Sequence, residues 1–203
     1  TKTEQNKTKE LKPLDHVRPD KPVIMRFEPS PSGPLHIGHA YTFGLNILYT
    51  RKYNGKLILR ISDTNPLNIY PKAYEMIRQD AEWLANKKIN DYDFMYIIQS
   101  DRMLLYYSYA EKMIKKGIAY VCTCTQEQFL NYKMQGKECP CRSLPIEAHL
   151  ARWEKMFNIY KPGEAVLRFK SGMQHKNPAM RDFPLMRIID AEHPRQGKKY
   201  RVW

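Results

Sequence analysis

The chain has 203 residues, of which 34 are Lys or Arg and 21 are Asp or Glu, so its formal net charge is +13. A chain of this length can form one or two domains, and its positive charge favours polyanionic partners such as nucleic acids. No stretch approaches a transmembrane length, and the N-terminal segment is charged, unlike a signal peptide. We therefore expect a cytoplasmic protein with reduced cysteines and no membrane partner.

Residues 1–21 are mostly polar and charged, which predicts a disordered N-terminal tether. From residue 22 onward, short runs rich in β-formers alternate with segments in which apolar residues recur at helical spacing. The pattern predicts strands at 23–27, 57–61 and 95–98 and helices at 37–53, 72–86 and 102–116. This alternation is typical of an α/β fold with a Rossmann-type doubly wound parallel sheet, and we assign residues 22–116 to such a half-domain.

The pattern changes after Gly117, which ends the third helix. A strand-like segment at 118–121 is followed by two cysteine pairs around a short helix, a helix at 146–157 and strand-like segments at 165–170 and 185–189. We expect residues 117–203 to form a second, inserted α+β subdomain. Because the chain reaches Trp203 within a strand-like segment, we expect this subdomain to be incomplete at its C-terminus.

The stretch from Arg26 to His39, R-F-E-P-S-P-S-G-P-L-H-I-G-H, joins the first strand to the first helix. Its prolines and glycine exclude regular structure, so a stiff loop leads into a helix N-terminus, the usual geometry of an anion site. His36 and His39 share one face of the first turn and add two donors. The alternative is a strand–helix turn with incidental surface histidines. Neither of the common glycine-rich phosphate loops is present.

Further motifs accompany this loop: R-I-S-D-T-N-P at 60–66, Q-S-D-R at 99–102, N-P-A-M-R-D-F-P at 177–184 and K-Y-R-V-W at 199–203. With H-I-G-H they resemble the class I aminoacyl-tRNA synthetases, in particular glutamyl-tRNA synthetases of the archaeal and eukaryotic type. The resemblance implies ATP-dependent activation of L-glutamate, with Mg²⁺, and transfer of the glutamyl group to tRNA(Glu). It also implies that the inserted subdomain binds the acceptor end of the tRNA.

The resemblance assigns roles to individual residues. It implies that His36 and His39 are catalytic donors to the α-phosphate, and that Pro34 and Gly38 join them in binding ATP. It implies that Arg26 binds the side-chain carboxylate of glutamate, as a guanidinium group can do bidentately, and that Ser30 and Asp63 line the same site. The alternative for Arg26 is a solvent-facing arginine at a strand end.

Ser62 departs from the family pattern, which has an acid at this position and a small residue where Glu28 stands. Parallel neighbouring strands would bring Glu28 and Ser62 together at their carboxyl ends. We therefore consider that Glu28 contacts the glutamate ammonium in place of an acid at position 62. The alternative is a solvated Glu28 beside Arg26, with the amino group held through Asp63 or water.

Four cysteines form two C-x-C pairs, Cys122 with Cys124 and Cys139 with Cys141. Four thiolates are the usual complement of a closed tetrahedral zinc site, so the pattern predicts a structural Zn²⁺. The alternatives are free buried cysteines, or a fold that survives the loss of zinc.

Two family features are missing from the 203 residues: a K-M-S-K-S loop and an anticodon-binding domain. We therefore expect the chain not to charge tRNA alone but to act with the remaining C-terminal part of a synthetase. The rival interpretations are a fragment of a glutaminyl-tRNA synthetase, whose pattern has P-E-P-N-G where P-S-P-S-G stands here, and a non-catalytic tRNA-binding fragment.

Overall fold

The computed structural model describes residues 10–91 and 93–203. Residues 1–9 of the predicted N-terminal tether lie outside this range. Residues 10–21 form neither helix nor strand, although the backbone N–H of Leu14 donates a hydrogen bond to the hydroxyl of Tyr53 at 2.8 Å. No helix among the described residues is long and apolar enough to cross a membrane.

Strands and helices alternate in the first part of the described chain, as the hydrophobic pattern predicts for residues 22–116, and two consecutive helices and two consecutive strands follow. The strands are β1 (Ile24–Phe27), β2 (Lys56–Ile61), β3 (Phe94–Ile98), β4 (Ala119–Cys122), β5 (Val166–Phe169) and β6 (Pro184–Arg187). The helices are α1 (Ile37–Lys52), α2 (Ala73–Ala85), α3 (Met103–Lys115), α4 (Gln126–Gln135) and α5 (Ile146–Asn158). Short 3₁₀ helices lie at Pro66–Asn68, Gln99–Arg102, Pro140–Ser143 and Pro178–Met180.

The chain divides into two compact units. The first contains the residues up to Ser62 and Tyr70–Ile98, and the second contains Asp63–Ile69 and Gln99–Trp203. Helix α3, which we assigned to the first half-domain, therefore groups with the second unit. The reason is its apolar stripe, since Met103 and Ile114 belong to one buried core with Trp153 and Met156 of α5. The predicted boundary between residues 116 and 117 therefore follows α3 in the sequence, whereas this helix packs into the core of the second unit.

The first unit is built on a parallel sheet of three strands in the order β1-β2-β3. Phe27 is the register partner of Leu59, which in turn pairs with Tyr96. Helices α1 and α2 contribute Phe43 and Ile77, both fully buried, to the core beside this sheet. The predicted parallel α/β arrangement is confirmed.

The second unit contains an antiparallel sheet in the order β4-β5-β6. Val121 and Leu167, which pair across β4 and β5, are fully buried in the core that also contains Met156 of α5. This combination of an antiparallel sheet with separate helices is the α+β pattern that the sequence predicts for residues 117–203.

The turn from α1 into β2 requires a glycine. Asn54 adopts a positive φ of 45°, and the backbone N–H of Gly55 donates to the carbonyl of Thr50 at 2.9 Å, which ends the helix. A Cβ atom on Gly55 would lie 2.2 Å from the carbonyl oxygen of Val23. That carbonyl accepts a hydrogen bond from the N–H of Lys56 at 2.8 Å, at the start of the contact between β1 and β2.

We predict that Gly55→Ala destabilises the chain by about 1–3 kcal/mol, because the backbone at Val23 must shift to admit the methyl group. Gly44→Ala is the matched control: a Cβ there meets nothing within 4 Å, and alanine favours a helix interior by up to about 1 kcal/mol. Urea unfolding of both variants measures the difference. Equal free energies of unfolding for the two variants would contradict the prediction.

Candidate active site and metal centre

The proline-rich loop between β1 and α1 is fixed to the chain that follows β2. Pro29 and Pro31 are buried, and their carbonyl oxygens accept hydrogen bonds from the N–H groups of Ser62 at 2.9 Å and Tyr70 at 2.8 Å. Proline restricts φ, so the loop has few conformations even before these bonds form. The loop is therefore a rigid connection from the end of β1 to the N-terminus of α1.

Helix α1 begins with a capping box made by the two predicted catalytic histidines. The Nδ1 atom of His36 accepts a hydrogen bond from the N–H of Gly38 at 3.1 Å, and the Nδ1 atom of His39 accepts one from the N–H of His36 at 3.3 Å. The two ring centroids are 3.8 Å apart, and the ring of His39 also makes an edge contact with Phe27 at 6.0 Å. The structure thus brings the two histidines together and fixes both rings.

The hydrogen bonds determine which ring nitrogen carries the proton. A nitrogen that accepts a hydrogen bond is unprotonated, so each neutral ring keeps its proton on Nε2. Burial, and next the neighbouring charge of His36, lowers the pKa of His39 below its ordinary value of 6.5. At neutral pH, His39 therefore donates from Nε2 as a neutral imidazole, a suitable partner for a negatively charged oxygen.

The other residues predicted to bind ATP lie around this helix start. Pro34 and Gly38 are exposed, as is Ser30 further back in the loop. A Cβ on Gly38 would come within 3.0 Å of the His36 ring, so glycine also leaves room for that ring. These positions are compatible with a ligand lying over the N-terminus of α1.

Arg26 and Glu28 stand at the carboxyl end of β1, where the sequence predicts the glutamate site. The Nη2 atom of Arg26 lies 2.9 Å from Oε2 of Glu28, and Oε1 of Glu28 is bonded to Nη1 of Arg60 on β2. The side chain of Arg26 remains 56% exposed, whereas that of Arg60 is 16% exposed. The sequence analysis did not identify Arg60 as a site residue. In the observed register Phe27 pairs with Leu59, so Glu28 and Arg60 are the next residues along the two strands.

Ser62 and Asp63 directly follow strand β2, and their surroundings differ. The backbone of Ser62 binds Pro29, next to Glu28, so both residues of the predicted exchange lie at the same corner of the sheet. The side chain of Asp63 is fully buried, and it accepts hydrogen bonds from the N–H and the hydroxyl of Ser100 at 2.8 and 2.7 Å. The backbone carbonyl oxygen of Asp63 is 2.8 Å from Nε2 of the buried His193. Contact between this carboxylate and a substrate would require the network to open, and the role of Asp63 as a glutamate ligand stays a prediction.

The four cysteines converge in the second unit, and all are free thiols. Their sulfur atoms lie within 4.8 Å of one another, with Cys122 and Cys139, and also Cys124 and Cys141, 3.8 Å apart. A tetrahedral zinc with Zn–S bonds of ~2.3 Å needs sulfur atoms ~3.8 Å apart. The four residues therefore fit a structural zinc ion.

Neighbouring donors favour negative charge on two of these sulfur atoms, those of Cys139 and Cys141. Sγ of Cys141 accepts hydrogen bonds from the N–H of Thr123 at 3.4 Å and from Nη1 of Arg152 at 3.3 Å. The thiol of Cys122 donates to Cys139, which lowers the pKa of Cys139 and raises that of Cys122. Metal ligation requires thiolates, so these donors are the expected surroundings of a zinc site. Sequence spacing alone could not identify Thr123 or Arg152 as part of it.

A model of the family described as tRNA synthetases class I (E and Q), catalytic domain, matches residues 22–203. The chain belongs to this family. Glutamate–tRNA ligases of Methanothermobacter thermautotrophicus and Methanocaldococcus jannaschii are 51% and 46% identical to it, over 100% and 98% of this chain. The alignments cover 35% of each relative, so the chain spans little more than a third of their length.

A crystal structure of a glutamate tRNA ligase from Elizabethkingia meningosepticum, in complex with its amino acid, is also similar. It matches 82% of this chain and 39% of its own, with a TM-score of 0.60 and 25% sequence identity. Together with the sequence relatives, it confirms the predicted class I synthetase fold and the similarity to the glutamyl branch.

For this synthetase chain we predict that His39 titrates with a pKa below 6.5, because burial and the charge of His36 disfavour its imidazolium form. In the unfolded chain His39 binds its proton more readily, so this residue lowers the stability of the fold as the pH falls through 6.5. His36→Gln removes the neighbouring charge and should raise the pKa of His39, whereas Tyr41→Phe, on the exposed side of α1, should not. NMR titration of the ring protons measures this, and a pKa at or above 6.5 in the unmodified chain would contradict it.

We also predict that the purified chain contains about one zinc ion, because its four sulfur atoms match tetrahedral coordination. Cys139→Ser should lose the metal and lower the thermal midpoint of unfolding. Ser143→Ala, in the adjacent 3₁₀ helix, should keep both unchanged. Elemental analysis by mass spectrometry measures the metal content. A metal-free protein that keeps its thermal midpoint and does not take up added zinc would refute the site.

Proposed function

We propose that this chain is the part of a glutamate–tRNA ligase that binds ATP and L-glutamate and forms glutamyl-adenylate. The observation that carries the proposal is the histidine pair at the start of α1, in which the Nδ1 atoms of His36 and His39 are both occupied by backbone N–H groups. Two protonated Nε2 atoms and a helix N-terminus then form an array of donors for a phosphate group. The family membership and the glutamate–tRNA ligases among the relatives support the same reaction.

In the proposed reaction, an oxygen of the glutamate α-carboxylate attacks the α-phosphorus of ATP. The bond from this phosphorus to the oxygen that bridges to the β-phosphate breaks, and pyrophosphate leaves with that electron pair. Such a transfer asks the protein mainly to position the reactants and to stabilise the charge on the equatorial oxygens. His36 and His39 would do so by donating from Nε2, Pro34 and Gly38 would line the ATP site, and Mg²⁺ would enter with ATP.

Arg26 is the proposed ligand of the glutamate side chain. It lies at the carboxyl end of β1, more than half exposed, with one of its five N–H groups directed to Glu28. The remaining groups can bind a carboxylate bidentately, and they match the amide of glutamine poorly because an amide presents only one oxygen. Ser30 and Ser62 would complete the polar lining at the same end of the sheet.

The second unit would grip the acceptor end of tRNA(Glu), with zinc at the four cysteines as a structural support. Transfer to the tRNA would also require the remaining C-terminal part of a synthetase, because the K-M-S-K-S loop typical of the family is absent from these 203 residues. We place the protein in the cytoplasm, where thiolate ligands stay reduced.

A chimaera tests the proposal: residues 22–203 replace the matching region of the M. thermautotrophicus ligase, and ATP–pyrophosphate exchange is measured with tRNA present. We predict exchange with glutamate but little with glutamine. Arg26→Ala should lower kcat/KM for glutamate by about 10²-fold or more, because the substrate carboxylate loses its charged partner.

Arg78→Ala is the matched control, because Arg78 is an exposed arginine on α2 that is paired with Glu82, and it should leave exchange unchanged. A chimaera that activates glutamine as well as glutamate, or an Arg26→Ala variant with normal kcat/KM, would contradict the assignment of Arg26.

A further inference from the structure

Glu28 joins two arginines that lie on neighbouring strands. Its Oε2 atom is 2.9 Å from Nη2 of Arg26, and its Oε1 atom is bonded to Nη1 of Arg60. The exposed fraction of the side chains falls from 56% at Arg26 to 28% at Glu28 and 16% at Arg60. The carboxylate is therefore held on its inner side by a largely buried arginine and holds a more exposed arginine on its outer side.

This arrangement restricts Arg26. A free arginine side chain has considerable rotamer entropy, which it loses when it binds a ligand in one orientation. The ion pair with Glu28 removes part of this freedom beforehand, which lowers the cost of binding. It occupies only Nη2, so other N–H groups of the same guanidinium remain for a second carboxylate.

The charges of the three residues favour an anionic ligand. Two guanidinium groups and one carboxylate give the cluster a net charge of +1, so a carboxylate approaching Arg26 is still attracted. Without Arg60 the cluster would be neutral, and Glu28 would repel the incoming carboxylate without compensation. Arg60 therefore allows an acid to stand beside a carboxylate-binding arginine.

We propose that Glu28 is a positioning residue, which is anchored by Arg60 and orients Arg26 toward the side-chain carboxylate of glutamate. The inference rests on the proposed function, because Arg26 is the glutamate ligand there. It is an alternative to the hypothesis that Glu28 contacts the substrate ammonium, because the carboxylate of Glu28 is already paired with two guanidinium groups.

The test uses Glu28→Gln in the same chimaera. Glutamine keeps the length of the side chain and one oxygen acceptor but loses the charge that holds both arginines. The KM for glutamate should rise about 10- to 100-fold, as expected for a lost charge-assisted hydrogen bond, with kcat and the KM for ATP within about twofold. The preference for glutamate over glutamine should fall. In an Arg26→Ala background, Glu28→Gln should have no further effect, because it acts through Arg26.

Three results would overturn the inference. A lower KM for glutamate in Glu28→Gln would mean that Glu28 competes with the substrate for Arg26. An equal rise in KM with and without Arg26, or its reversal by adding Ser62→Asp, would mean that Glu28 contacts the substrate amino group directly. An unchanged KM would mean that Glu28 has no part in binding. Glu75→Gln on α2, whose carboxylate accepts from Gln79, is the control and should change none of these values.

A second measurement is independent of activity. In the 203-residue chain, NMR of the arginine guanidinium groups should show slow rotation for Arg26 and faster rotation in Glu28→Gln, with no change in Glu75→Gln. If the unmodified chimaera does not activate glutamate, the proposed function fails while this measurement still decides whether Glu28 holds Arg26. Equal rotation of Arg26 in the unmodified chain and in Glu28→Gln would overturn the positioning role.

Discussion

The parallel pairing of β1 with β2 determines most of the candidate active site. Because Phe27 pairs with Leu59, the next residues along the two strands, Glu28 and Arg60, meet as an ion pair. One step further, the N–H of Ser62 binds the carbonyl of Pro29 and so fixes the start of the loop that leads to His36. A shift of one residue in this register would reverse which side chains face the core and would separate every one of these partners.

The second unit contains buried carboxylates whose oxygen atoms accept hydrogen bonds from several neighbouring groups. Asp182, fully buried, accepts from the hydroxyl of Tyr120 at 2.8 Å and from Nε of Arg142 at 2.9 Å. Tyr120 is also 3.6 Å from Sγ of Cys139, so the same carboxylate fixes a neighbour of the metal centre. A buried charge without partners would be costly, and such a network therefore tolerates few alternative arrangements. Asp63, with Ser100 and His193, is a second example in the same unit.

The helices and strands could be predicted from the sequence, but the partners of the charged side chains could not. Hydrophobic periodicity and the stops at Asn54 and Gly117 place the six strands and the helices α1, α2, α3 and α5 within a few residues, because those signals are local. The pairing of Glu28 with Arg60 and the partners of Asp63 depend on contacts between residues 32 to 130 positions apart, which no local pattern records. The same limit applies to α3, because its apolar stripe indicates a buried face but not the core that it joins. The cysteine cluster was predictable because its chemistry admits few alternatives.

In the first unit, the two histidines and the arginine that we propose to meet a substrate are held by neighbours before any substrate binds. His39 accepts from the backbone of His36, the loop carbonyls bind Ser62 and Tyr70, and Arg26 is paired with Glu28. Immobilising these groups costs conformational entropy. Here that entropy is lost when the chain folds and not when a substrate binds. These groups are not held equally. The histidines accept hydrogen bonds from the backbone at the start of α1, whereas Arg26 is held by the carboxylate of Glu28. Adenylate chemistry at the helix should therefore be less sensitive to substitutions at the end of β1 than the choice between glutamate and glutamine.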